Sequence, residues 1–122
     1  MEAVTRPVAR QEADVLASAV AGDEVAFRHI IAAYQEDMRR VCLAVAGDDA
    51  IVEEAVQAAW LVAWQKLGKV HGPDQVRPWL VSVAVTEARQ LLRKRRRRAV
   101  LEIAVDASGE AGGTDPATGV AS

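Results

Sequence analysis

The sequence predicts an all-α fold, a compact bundle of three main helices with a short helix in front of them. Three observations carry this. Apolar residues recur at spacings of three and four along most of the chain, the period of a helix with one buried face. Aspartates stand where such helices would start and glycines where they would stop. Strand signals are missing: aromatic residues make up 4% of the 122 positions and no alternating β-branched run occurs.

Taken in order, residues 1–12 read as a flexible leader, with Pro7 discouraging an early helix. Asp14 can cap a short helix carrying Val15, Leu16, Ala19 and Val20, which stops at Gly22. Asp23 opens the second helix, whose apolar positions are Phe27, Ile30, Ile31, Tyr34, Met38, Val41, Cys42 and Val45; Gly47 ends it. Asp48 and Asp49 start the third as a cap and an acidic first turn, which the helix dipole favours. This helix runs to about Leu67 with Val52, Val56, Ala59, Trp60, Ala63 and Trp64 on its broad apolar face, and Gly68 suits the position just past its end. A polar loop follows, with Gly68, Gly72 and Pro73. Asp74 can cap a fourth helix that tolerates Pro78 in its first turn and carries Trp79, Leu80, Val83, Ala84, Ala88, Leu91 and Leu92. That helix flows into Arg93-Lys94-Arg95-Arg96-Arg97-Arg98, which places the folded domain at 13–98. Residues 99–122 start with a short apolar stretch and then hold glycines, a proline and small polar residues, a composition expected to be disordered.

Charge is distributed unevenly. The net charge of −2 combines −5 over 1–75, +7 over 76–98 and −4 over 99–122. A basic segment between acidic ones points to a polyanion partner. Other classes are excluded or disfavoured. The single cysteine, Cys42, cannot form an intramolecular disulfide, and His29 and His71 lie in no metal-ligand spacing, so neither metal nor cofactor is expected. No apolar run reaches the ~18 residues of a membrane span, and the first residues lack the layout of a secretory signal. A cytoplasmic, nucleoid-associated protein is the expectation. Ser18, Ser82, Ser108 and Ser122 have no histidine partner in sequence context and no phosphate-cradling glycine loop occurs, so no enzymatic activity is expected.

Three features bear on function. Arg89, Arg93, Arg96 and Arg97 share one side of a helix, a stripe suited to a phosphate backbone; the plainer alternative is a solvated charge run at a helix end. Trp60, Trp64 and Trp79 suit core packing, at least two of them, while an aromatic beside the loop could also support an unstacked base. Glu53, Glu54 and Gln57 can line one face of the third helix opposite the tryptophans, as ordinary solubilising residues or as a dock for a basic helix.

The order of these features resembles a known family. Gly22-Asp23-Glu24-Val25-Ala26-Phe27-Arg28, then Tyr34, then Gly47-Asp48, resembles the opening of bacterial sigma factors of the extracytoplasmic-function type. Val52-Glu53-Glu54-Ala55-Val56-Gln57-Ala58-Ala59-Trp60-Leu61-Val62-Ala63-Trp64 is similar to their core-binding helix, and Val76-Arg77-Pro78-Trp79-Leu80 with the run Arg93–Arg98 to their promoter-facing helix. The resemblance spans about 13–98 and implies the second conserved region of such factors. It implies docking on the β′ clamp helices of RNA polymerase core through Glu53, Glu54, Gln57 and Leu61. It also implies capture of the non-template strand of the promoter −10 element by the loop Val70–Gln75, with His71 and Gln75, and by Arg77, Trp79, Thr86 and Arg89, with Arg93, Arg96 and Arg97 on phosphates. An anti-sigma factor is the regulator such a domain implies. The sequence departs from the family pattern at Ala58, Trp60 and Val76, and at Val85-Thr86, where the family carries Arg-Asn. That last departure motivates a second reading: a sigma-like module that binds polymerase or an anti-sigma regulator without promoter selectivity. A generic nucleic-acid binder using only the arginine run is a third. The tail resembles the linker that precedes the family's second domain, so the chain is expected to be an excised domain or a natural single-domain protein.

Overall fold

The computed structural model describes residues 2–107, with side chains from Arg10 onward. Its elements are α1 (Glu2–Val20), α2 (Glu24–Ala46), α3 (Asp49–Lys66), two short 3-10 turns (Leu67–Lys69 and Pro73–Gln75) and α4 (Val76–Ala107). No strand occurs among the described residues, and the all-α class expected from the periodicity is the one observed.

The helix joints follow from local chemistry. Gly22 adopts φ 101°, which side-chain-bearing residues rarely do; its N–H donates to the Ala19 carbonyl and the Asp23 N–H to the Ser18 carbonyl, each at 3.0 Å. These two bonds satisfy the last carbonyls of α1. Asp23 then opens α2, its Oδ1 accepting from the N–H groups of Val25 and Ala26 at 2.9 and 3.2 Å. Gly47 (φ 63°) closes α2 with its N–H on the Leu43 carbonyl at 2.8 Å. Asp48 Oδ1 accepts from the Ile51 N–H at 3.1 Å and starts α3.

Four expectations are corrected. The leader over 1–12 is helical from Glu2, in α1: Pro7 removes one backbone donor, but Ala3, Ala9, Arg10, Gln11 and Glu12 around it favour helix. Gly68 does not take a positive φ, because α3 tightens into the 3-10 turn Leu67–Lys69 instead of stopping at a left-handed residue. Asp74 caps nothing: it lies inside the second 3-10 turn, where the Gln75 N–H donates to the Gly72 carbonyl at 3.1 Å and α4 follows at once. The tail expected from residue 99 remains helical to Ala107, since neither glycine nor proline interrupts Ala99–Ala107. Its remainder, 108–122, lies outside the described residues.

Two compact units divide the chain, Met1–Arg89 and Gln90–Ser122. In the first, α2 packs against both α1 and α3. The core takes Leu16 and Ala19 from α1, Phe27, Ile30, Met38 and Cys42 from α2, and Ile51, Val52, Ala55, Val56, Ala59, Trp60 and Ala63 from α3. Leu67 and Val76 are buried at the two ends of the intervening loop, and Leu80, Ala84 and Ala88 continue the buried row of α4. Small alanines let helices approach closely, and Met38, Leu80 and Cys42 are the largest side chains fully enclosed. Phe27 meets Trp60 and Trp64 edge-to-face, with centroids 5.7 and 5.0 Å apart. The Trp60 indole N–H is buried with no acceptor among the described residues. Trp64, expected on the apolar face, is 47% exposed despite its contact with Phe27. In the second unit the residues from Gln90 to Ala107 are helical; Leu91 and Leu92 are half-buried and residues 93–107 exposed.

Candidate functional site

Two surfaces of the first unit gather the residues singled out by sequence. The first is the outward side of α3. Glu53, Glu54, Gln57 and Leu61 are all exposed there, and at about 100° per residue they fall on one side of the helix. Glu53 is held by an ion pair with Arg39 of α2. Leu61 is 70% exposed, an apolar group in water between polar neighbours. Trp64 lies within this side rather than opposite it, an addition that sequence reasoning missed. Its spacing of seven from Gln57 and three from Leu61 was the available signal.

The second surface is the loop and the start of α4. His71 and Gln75 are exposed, and the loop between Leu67 and Val76 is pinned at those two buried ends. Gly72 begins the second 3-10 turn at φ 106°, and a Cβ there would meet Asp74 Oδ1 at 3.1 Å, so the loop path requires glycine. On α4, Trp79 is half-buried and Ser82, Thr86 and Arg89 are exposed. The Ser82 hydroxyl donates to the Trp79 carbonyl and the Thr86 hydroxyl to the Ser82 carbonyl, each at 2.8 Å. The Thr86 proton is thus turned back on its own helix. Arg89 has no ion-pair partner among the described residues, which leaves its charge for an external anion.

Arg77 behaves differently from the other cations. Its Nε donates to Asp37 Oδ2 at 2.8 Å, across from α4 to α2, and Asp37 Oδ1 is also 3.6 Å from Arg40. The Arg77 hydrogen bond holds the Asp37 carboxyl below the usual carboxylate range, against a smaller opposing effect of burial, with the Arg77 and Arg40 charges adding to the lowering. Tyr34 lies half-buried nearby. Burial raises its phenol above the ordinary value, and the Glu12 and Asp37 charges add to this. Tyr34 and Glu12 line a cleft of about 200 Å³ between α1, α2 and the second 3-10 turn, floored by Val15, Leu16, Ile30 and Pro73.

In the second unit Arg93, Arg96 and Arg97 are exposed and fall within about 100° of one side of their helix. Among the described residues no cluster of histidine, cysteine and acidic side chains could hold a metal ion, and no helix is long and apolar enough to cross a membrane.

An all-α unit with an acidic, leucine-bearing helix face and a loop leading into a cationic helix defines a class that comparison with known proteins identifies. Residues 30–98 match the family model for Sigma-70 region 2, and the chain belongs to that family. Among curated proteins, a probable RNA polymerase sigma factor, RfaY, of Xanthomonas campestris pv. campestris (strain ATCC 33913 / DSM 3586 / NCPPB 528 / LMG 568 / P 25) is 36% identical over 91 residues. That stretch covers 75% of this chain but 23% of the relative, so the chain spans about a quarter of that protein's length. No solved structure matches.

Proposed function

We propose that this chain serves transcription initiation in the cytoplasm as the region-2 domain of an extracytoplasmic-function type sigma factor. The α3 face of Glu53, Glu54, Gln57 and Leu61, joined by Trp64, docks on the β′ clamp helices of RNA polymerase core. The loop with His71 and Gln75, together with Trp79, Thr86 and Arg89, takes the non-template strand of the −10 element. Arg93, Arg96 and Arg97 neutralise its phosphates, and an anti-sigma factor competes for these surfaces. The observation that carries the reading is Leu61: an apolar side chain 70% exposed among carboxylates and an amide has the make-up of an interface centre with a polar rim. The test is binding of the native chain to core polymerase. Leu61→Arg and Gln57→Ala are each expected to weaken it, Leu61→Arg at least tenfold. A native chain that does not bind core polymerase overturns the reading.

A second reading is favoured by Thr86. Its hydroxyl is spent on the Ser82 carbonyl, at a position where the family carries an amide side chain, so the domain would bind polymerase or a regulator with little choice of promoter sequence. Titration with −10-like and scrambled single strands separates the two: unequal affinities support the first, equal affinities the second.

A further inference from the structure

We infer that Asp37 is a positioning residue for the promoter-facing surface, and that Arg77, its partner, latches α4 to α2 instead of contacting DNA phosphate. This deepens the functional reading above and rests on it.

The geometry separates Arg77 from the other cations of that surface. On α4, Arg77 is seven residues from Ala84 and eleven from Ala88, which puts it within about 20° of both, and both are fully buried. Thr86, nine residues on, lies about 180° away, on the exposed side with Arg89 and Ser82. Arg77 thus leaves its helix toward α2 and, with its side chain still 53% exposed, reaches the α2 carboxylate, as the 2.8 Å bond from its Nε to Asp37 Oδ2 shows. The charge arithmetic agrees. The Asp37 carboxylate stands 2.8 Å from Arg77 and 3.6 Å from Arg40 and neutralises the nearer cation, so a phosphate arriving at Arg77 would exchange one anion for another and would meet the repulsion of the carboxylate it displaced. A cation already neutralised in this way releases no condensed counterion from DNA. What the pair does provide is location. Val76 is buried immediately before Arg77, and the second 3-10 turn ends at Gln75, so fixing Arg77 on α2 fixes the exit of the loop that carries His71 and Gln75.

The test is the salt dependence of single-strand binding by the full chain. The probes are an oligo(dT) strand, which needs no promoter recognition, and a −10-like strand beside its scrambled version. Each phosphate neutralised adds about 0.7 to the slope of log K against log salt. Arg89→Ala is expected to lower the slope by about that amount. Arg77→Ala is expected to leave the slope unchanged while narrowing the preference for the −10-like strand at least threefold. Asp37→Asn, nearly isosteric, removes the carboxylate shared by Arg77 and Arg40 and is expected to raise the slope by at least about 0.7, of which Asp37→Asn/Arg77→Ala should take back about 0.7. A merely structural role for the pair would not raise the slope in Asp37→Asn. Helical circular dichroism checks that each variant is folded, and Arg77→Gln substitutes if Arg77→Ala is not. If Arg77→Ala or Arg77→Gln lowers the slope as Arg89→Ala does, or if Asp37→Asn leaves it unchanged, the inference is overturned. Failure of the promoter reading has a different signature: equal affinity of the native chain for −10-like and scrambled strands, with the slopes on oligo(dT) still deciding the role of Arg77. A native chain that binds no strand overturns both.

Discussion

Replacing Phe27 isolates the contribution of the aromatic cluster that joins α2 to α3. Phe27 is 8% exposed, and its ring meets Trp60 at 5.7 Å and Trp64 at 5.0 Å, both close to perpendicular. Phe27→Leu keeps most of the buried apolar volume and removes both edge-to-face pairs. At about 0.5–1.5 kcal/mol per pair beyond area burial, it should cost about 1–3 kcal/mol. Phe27→Ala also removes the packing volume and should cost about 3–5 kcal/mol. The assay is urea unfolding followed by tryptophan fluorescence, in which two of the three reporting indoles are the partners of the deleted ring. In Phe27→Leu the midpoint should fall with the m-value unchanged, which assigns the loss to native stability and not to a changed denatured state. A Phe27→Leu cost below about 0.5 kcal/mol would refute the claim that ring geometry, as distinct from buried area, stabilises this joint.

Three further outcomes are expected. Asp48→Ala removes the acceptor for the Ile51 N–H at the start of α3 and should cost about 1 kcal/mol in the same unfolding assay. Cys42 is fully enclosed, and burial raises its thiol above the ordinary range, so alkylation of the native chain should be slow and governed by unfolding, accelerating when urea exposes it. The Asp37 carboxyl is held below its ordinary value of 3.8 when folded, so its contribution to stability is present above that value and is lost as pH falls through the lower folded value. Thermal unfolding of the native chain and Asp37→Asn should differ at neutral pH and converge toward strong acid.

Elements set by short-range chemistry were legible in the sequence. Asp23, Gly47 and Asp48 act on backbone groups within four residues of themselves, so their roles at the helix ends could be read without knowing the fold. The exposed face of α3 was legible for the same reason, since spacing alone puts Glu53, Glu54 and Gln57 on one side; Leu61 entered through the family resemblance. The pairing of Arg77 with Asp37 was not legible, because Asp37 is 40 residues away and a basic residue beside a basic helix looks like part of it. The row of Ala84 and Ala88 in register with Arg77 was a signal, but only once those alanines were known to be the buried ones. The exposure of Trp64 was not legible because a tryptophan in an apolar period suggests core packing, whereas this ring meets Phe27 and is still 47% exposed. The start of α1 and the helical stretch 99–107 went unread, the first because Pro7 suggested a break and the second because the composition beyond it suggested a linker.

The carboxylates around Leu61 have a consequence for the free chain. Two copies meeting through this face would bring Glu54 of one toward Glu54 of the other, beside Glu53 already paired with Arg39, and the apolar contact between the leucines would have to overcome that repulsion. A helix bearing arginines or lysines meets no such barrier and would gain from the same acids. On the proposed docking surface these acids would therefore sort visitors by charge before any side chain is matched to another, favouring a basic helix over a second copy of this face.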